Sequence, residues 1–305
     1  MSALVSICIP TYNRETYVLM AVDSCLKQTY KNLEIIVYDD DSTDNTVSEL
    51  KKINDPRLKI FVQDHNQGMV PNWNAAILKA KGKYVKLLAS DDFIEPKCIE
   101  LELNAMEADP KAVLVTCRRK FIDSAGNTIK DMGFATKNIK QSGETYIRQS
   151  LISLRENRIG EPTATLFLRQ IAVSSGLFDP QFGQLADFEF WLRLLQHGNL
   201  IYLNKTLCGF RIHDEAGTAK AIKNGTFIRE TYDLIHKFYD NTKHTKRFKL
   251  SKRDHRQILI IKTRDFLSGI RKLILKKEYY SAAQHLKQLL SYSSPYILLQ
   301  SIIRN

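Results

Sequence analysis

Short β-branched runs alternate with stretches of helical apolar spacing through the first 117 residues. Residues 4–10 (LVSICIP), 33–40 (LEIIVYDD), 58–64 (LKIFVQD) and 83–92 (KYVKLLASDD) each carry the apolar run of a strand. Between them, residues 16–28, 43–53 and 71–82 place apolar positions three and four apart, with Gly82 as a stop signal. Strand–helix alternation at this spacing predicts an α/β fold with right-handed crossovers, a mostly parallel sheet and helices on both faces. A helix over 96–110 and a strand over 112–117 extend the pattern. Residues 118–160 are polar and irregular, which suits a lid or an acceptor-side insertion. Residues 161–169 are strand-like, 186–198 helical and 199–213 strand-like again, with Phe190 and Trp191 expected in the core or on an acceptor wall. From about 226 onward only helices are expected, broken near Asn241–Lys252 and at Pro295. The chain thus divides into residues 1–225, with halves 1–117 and 118–225, and a helical C-terminal region over 226–305.

Ligands of such sheets bind beyond the carboxyl ends of the strands. Two acidic clusters fall there, Asp39–Asp40–Asp41 in "VYDDDSTD" and Asp91–Asp92 in "LLASDDF". Side by side, like charges repel, so a cation between them is one explanation. An oxygen-ligated Mg²⁺ or Mn²⁺ that also grips a diphosphate needs few protein carboxylates. Helix capping is the other explanation: Asp91 or Asp92 could cap the helix near Pro96, and Asp41, Ser42 or Thr43 the helix after them. A cap accounts for one acid of each cluster. The acids Glu100, Glu102 and Glu107 are expected on a solvated helix face.

Six pieces in order carry a family resemblance: "VSICIPTYN", "DDDSTD", "NQGMVPNWNAAI", "SDD", "DFEFWLR" and "FRIH". Residues 4 to about 213 resemble the inverting family 2 glycosyltransferases of the GT-A fold, of bacterial surface-polysaccharide type. The resemblance implies a metal-dependent transfer of sugar from a nucleotide-sugar, a UDP-sugar above all, to a hydroxyl of a glycan or lipid-linked glycan. It implies that Pro10, Thr11 and Tyr12 lie along the base, Asp39 bonds uracil, Asn66 lies near the nucleotide and Asp91 near the ribose. Asp92 would hold a divalent cation (Mn or Mg), with His213 reaching the metal or the diphosphate. Asp187 would be the catalytic base. Chemistry gives Asp187 the same task, because displacing a nucleoside diphosphate requires a carboxylate to take the acceptor's proton on the opposite face. An N-cap is its structural alternative, and a surface or structural imidazole is the alternative for His213. Asp41, Trp73 and Ala186 depart from the pattern, standing where the family commonly has Gly, a basic residue and the Glu of an "ED" pair.

Composition narrows the alternatives. A sugar-nucleotide pyrophosphorylase would need a Gly-rich basic loop after the first strand, and "PTYNRETY" has no Gly and one Arg. Receiver-type phosphoacceptor modules are much shorter than 305 residues. A non-catalytic, membrane-associated nucleotide-binding protein stays open. Five widely spaced cysteines without a C-x-x-C pair argue for a reducing compartment. With no basic leader and no long apolar stretch, a cytoplasmic chain is expected, peripheral on the inner face of the membrane if it binds one. Charge is uneven: residues 1–204 carry 24 Lys/Arg against 25 Asp/Glu, and 205–305 carry 21 against 8. Residues 256–305 therefore either pack on the catalytic part with lysines in water or lie on anionic lipid. No aromatic-interleaved basic motif points to nucleic acid.

Overall fold

The computed structural model describes residues 2–153, 157–212, 225–240, 248 and 250–303. Strand β1 (Val5–Thr11) lies between β2 (Leu33–Asp39) and β4 (Tyr84–Leu87), parallel to both, and β3 (Leu58–Val62) adds a parallel edge beyond β2. Thr11 pairs with Asp39, so both strands end at one level. Beyond β4 the sheet becomes mixed. Strand β9 (Thr165–Leu168) runs antiparallel between β4 and β6 (Ala112–Ile122), and β10 (Asn199–Arg211) lies parallel to β6. The two-residue β5 (Phe93–Ile94) closes the order β3-β2-β1-β4-β9-β6-β10-β5.

Alternation along β1 supplies two cores, because successive side chains point to opposite faces. Val5, Ile7 and Ile9 meet α1 (Val18–Leu26) and α4 (Cys98–Glu107) on one face. On the other, Cys8 joins residues of α3 (Met69–Lys79) and α7 (Ala186–Leu195), including the fully buried Phe190 and Trp191. Between these fall the one-turn α2 (Thr46–Leu50) and the short α6 (Arg169–Ser174).

Three expectations change. Much of the described part of 118–160 is regular: β6 continues to Ile122, β7 (Thr128–Met132) folds back on it, β8 (Ile139–Ser142) pairs with β10, and α5 (Gly143–Ser153) follows. The residues of β7 are almost all exposed, so pairing rather than burial forms this strand and no hydrophobic alternation marks it. Neither cluster provides the expected caps: Asp44 accepts from the Thr46 amide at the start of α2, and α4 has no side-chain cap. Glu102 is not solvated. It is fully buried on the inner face of α4 beside Ile99, Leu103 and Met106, and its two oxygens receive Lys86 Nζ at 2.9 and 2.8 Å. Lys86 also donates to the Thr165 carbonyl at 3.3 Å, tying β4, α4 and β9 together.

The C-terminal part comprises α8 (Thr226–Asp240), α9 (Lys252–Leu275), α10 (Tyr279–Tyr292) and α11 (Pro295–Ile303). Ser251 caps α9 by accepting the Asp254 amide, and Pro295 opens α11. Ile228, Tyr232, Ile235 and Phe238 of α8 belong to the same core as α7, so contacts cross the division expected at residue 225. No helix among the described residues is long and apolar enough to cross a membrane.

Breaking a buried ion pair strands a charge, whereas removing both partners does not. Lys86→Met should therefore cost about 3–5 kcal/mol in urea unfolding, and Lys86→Met/Glu102→Leu clearly less. Additive losses would contradict the pairing.

Candidate active site

The site begins where β1 and β2 end. Asp39 is buried and accepts both from the Ser42 amide (2.8 Å) and from its hydroxyl (2.5 Å). Burial raises its carboxyl, while the Ser42 bonds pull the other way. The turn between them runs through Asp41 at φ +65°. Asp, unlike most residues, tolerates this left-handed region, so the turn keeps a glycine-like backbone without the glycine. Asp40 plays a part not foreseen: its two oxygens accept the Gln67 and Gly68 amides, each at 2.9 Å. That carboxylate fixes the loop holding the exposed Asn66 at the start of α3. Pro10 and Thr11 end β1, and Tyr12 stands exposed beyond them. The buried Thr11 hydroxyl and Asn72 Oδ1 have no hydrogen-bond partner among the described residues.

The second acidic pair follows β4. Asp92 is 1% exposed; one oxygen accepts the Thr163 hydroxyl (2.5 Å) and the other the Arg211 amide (2.8 Å). Burial, and then the charge of Asp91, holds the Asp92 carboxyl well above the usual range. Asp91 is more open, with Arg14 Nε 3.8 Å from its carboxylate. The Arg211 guanidinium turns to backbone instead, donating to the carbonyls of Asp91, Asp123 and Ser124.

Asp187 sits in the first turn of α7. It accepts from the Phe188 amide (2.6 Å) and from Asn157 Nδ2 (3.0 Å). Burial, with the nearby Glu161 charge adding to it, pushes this carboxyl up to about 7. Asn157 also bonds both the amide and the carbonyl of Gly160, and the Trp191 indole donates to that carbonyl at 3.1 Å. Gly160 has φ +99°, and a Cβ there would lie 2.7 Å from the Arg119 guanidinium. Only glycine lets Arg119 approach and pair with Glu161. From the far side, Glu230 of α8 is 1% exposed and accepts three successive amides, Gly183 (3.1 Å), Gln184 (2.8 Å) and Leu185 (2.9 Å). This carboxylate anchors the loop leading into Asp187.

These elements enclose a cavity of about 200 Å³ whose lining includes Pro10, Trp73, Asp92, Glu161, Asp187 and Phe210. Pro10, Asp92 and Asp187 are thus brought together from three distant segments. Thr11, Tyr12, Asp39, Asn66 and Asp91 are not in its lining, and His213 lies outside the described residues. Trp73, packed edge-on to Phe178, presents an apolar wall where a basic residue was the family expectation.

Residues 6–173 match the profile of Glycosyl transferase family 2. The chain belongs to that family. An uncharacterized glycosyltransferase of Rickettsia prowazekii is 30% identical over 93% of this chain and 83% of its own length. The Escherichia coli protein WfgD, a UDP-Glc:alpha-D-GlcNAc-diphosphoundecaprenol beta-1,3-glucosyltransferase, is 27% identical over 78% of this chain and 87% of its own. In fold the chain is similar to S. aureus TarS 1-349, solved in complex with UDP-GlcNAc, at TM-score 0.62 and 18% identity over 95% of this chain and 91% of that one. The glycosyltransferase assignment and the GT-A fold therefore stand.

Divalent cations are common in family 2, and the acids can be tested for fit. Among the described residues no three His, Cys, Asp or Glu side chains converge as a cage. Asp92, Glu161 and Asp187 nevertheless share one cavity, with Asp91 adjoining Asp92. Each Asp92 oxygen accepts one hydrogen bond and keeps a second lone pair. The set fits a hard cation held jointly with a diphosphate and does not fit a cage made of protein alone.

Glu161, Asn157 and Glu230 escaped sequence reading because each acts through a partner far away in the chain. Losing Glu230 would leave three amides unbonded. Glu230→Ala should therefore speed amide hydrogen exchange at Gly183–Leu185, read by mass spectrometry, with Glu230→Gln intermediate. Unchanged protection would show that the carboxylate does not hold this loop.

Proposed function

We propose that the chain moves a sugar from a UDP-sugar to a hydroxyl of a glycan or lipid-linked glycan, inverting the anomeric carbon in one displacement. Asp187 and Asp92 lining one cavity is the observation that carries this reading. UDP as the donor nucleotide draws on WfgD, whose name specifies UDP-Glc, and on TarS, solved with UDP-GlcNAc. WfgD also motivates an acceptor bearing a lipid diphosphate.

In this reading Pro10, Thr11 and Tyr12 flank the base. Asp39 offers the uracil N3–H an acceptor, using lone pairs that Ser42 leaves over, and Asn66 stands near the nucleotide on the loop held by Asp40. The buried, unpartnered Thr11 hydroxyl and Asn72 Oδ1 add polar groups on that side. Asp91 faces the ribose. Asp92, with Asp91 beside it and His213 as a further ligand, would hold a Mn²⁺ or Mg²⁺, which when bound offsets charge on the departing diphosphate.

Asp187 takes the acceptor's proton as that oxygen bonds to the anomeric carbon from the face opposite UDP. In the same step the bond from the anomeric carbon to the UDP oxygen breaks, and UDP leaves with its electrons. A base works best when its pKa is near the operating pH, and burial has moved Asp187 to about 7. Asn157 and the Phe188 amide fix its two oxygens, so the carboxylate waits in place. Glu161, in the same cavity, supplies negative charge that favours proton uptake by Asp187.

Activity should track the deprotonated form of Asp187. Below pH 7, kcat/KM should rise tenfold per pH unit, then level off above it. A panel of nucleotide sugars should show a UDP-sugar as the donor. Asp187→Asn should lose at least about 100-fold in kcat while keeping UDP affinity. Full turnover by that variant, or a flat profile between pH 5 and 7, would remove the assigned base.

A further inference from the structure

We propose that the outer face of α9 and α11 docks on an anionic lipid bilayer, with α9 lying in the headgroup plane. Helix α9 carries seven Lys/Arg and two Asp, and both acids are engaged: Asp254 pairs with Arg148 at 3.2 Å and Asp265 with Lys262 at 3.0 Å. Arg253, Arg256, Arg264 and Arg271 recur at helical spacing along one side. They line two adjoining grooves, of about 800 and 420 Å³, which meet at Arg264.

Helix α11 borders this stripe. Arg256 stacks on Tyr296 at 4.5 Å, and Arg264 Nε reaches the Ser301 carbonyl at 3.4 Å. Tyr296, Leu299 and Ile302 follow at intervals of three and are exposed, Ile302 by 60% and Leu299 by 54%. Ile302 lines the second groove with Arg264 and Arg271. Basic and large apolar residues thus share one accessible face.

The stripe is too long for a single phosphate group, since Arg253 to Arg271 spans about 27 Å of helix. An extended anionic surface matches that length. The apolar residues separate a bilayer from a nucleic acid: Leu299 and Ile302 gain nothing from a phosphate backbone, whereas acyl chains would bury them. Buried polar and apolar contacts to α9, such as Ser301 donating to the Ile260 carbonyl (3.1 Å), hold α11 at this height.

The test is co-sedimentation of the full-length chain with phosphatidylcholine vesicles, with and without phosphatidylglycerol. Binding should require phosphatidylglycerol and weaken in high salt. Each basic residue near such a surface is worth about a fivefold change in partitioning, so Arg256→Gln/Arg264→Gln/Arg271→Gln should lower it roughly 100-fold. Leu299→Ser/Ile302→Ser should weaken binding with the charge intact. That second variant, checked for an unchanged melting temperature, keeps the test informative if the arginine variant misfolds. No binding by the wild type, or equal binding to neutral vesicles, would overturn the proposal. So would tight RNA binding unaffected by Leu299→Ser/Ile302→Ser, or a stable dimer that covers this face in sedimentation velocity.

Discussion

Carboxylates crowded into one cavity, two of them buried, are the constraint around which this protein is built. Asp92, Glu161 and Asp187 share about 200 Å³ with apolar walls from Trp73 and Phe210. Burying a charge without a counter-charge is costly, and a group so placed shifts its pKa instead. Asp92 and Asp187 both move upward for this reason. Among the described residues Arg119 reaches the set, through Glu161, and even that approach needs Gly160 to give way. The Arg211 guanidinium donates to three carbonyls and not to the Asp92 carboxylate. Among the described residues Asp92 and Asp187 are thus left without a side-chain counter-charge, which suits a ligand that arrives with its own cation.

Holding such a cluster in place requires hydrogen bonds from outside it. Thr163 and the β10 backbone fix Asp92; Asn157 and the start of α7 fix Asp187. Glu230 extends this support into α8, beyond the 6–173 segment that matches the family profile. A second link runs beside it, with Lys237 of α8 bonding Glu189 and Asp179 at 2.7 Å each. The helical C-terminal region therefore contributes at one end to the geometry of the cavity. At its other end, α9 and α11 turn a basic and apolar face outward.

Much of this was legible in the chain itself, for a physical reason. Parallel strands buried on both faces write long apolar runs, and acids at their carboxyl ends stand out against them. That contrast made Asp39 and Asp92 visible and placed the first four strands, whereas Asp187, in the first turn of α7, was reached through the family resemblance and the need for a base. The misses share a different character. Glu102 reads as a surface acid because nothing local shows that Lys86, sixteen residues earlier, meets it in the core. Strand β7 has no apolar alternation to read, since its partner β6 supplies the pairing. Asp40 looks like a spare member of an acidic run until α3 is in place to offer it two amides. Asn157 and Glu230 are ordinary polar residues until the fold sets them against Asp187 and its loop.

Calorimetric titration of UDP into the wild type and Asp92→Asn, each with Mn²⁺ and with EDTA, tests the central claim most directly. Acids that wait for a cation-bearing diphosphate predict tighter UDP binding with Mn²⁺ in the wild type and little metal effect in Asp92→Asn. Equal UDP affinity with and without Mn²⁺ in the wild type, or a metal effect that survives in the variant, would contradict it.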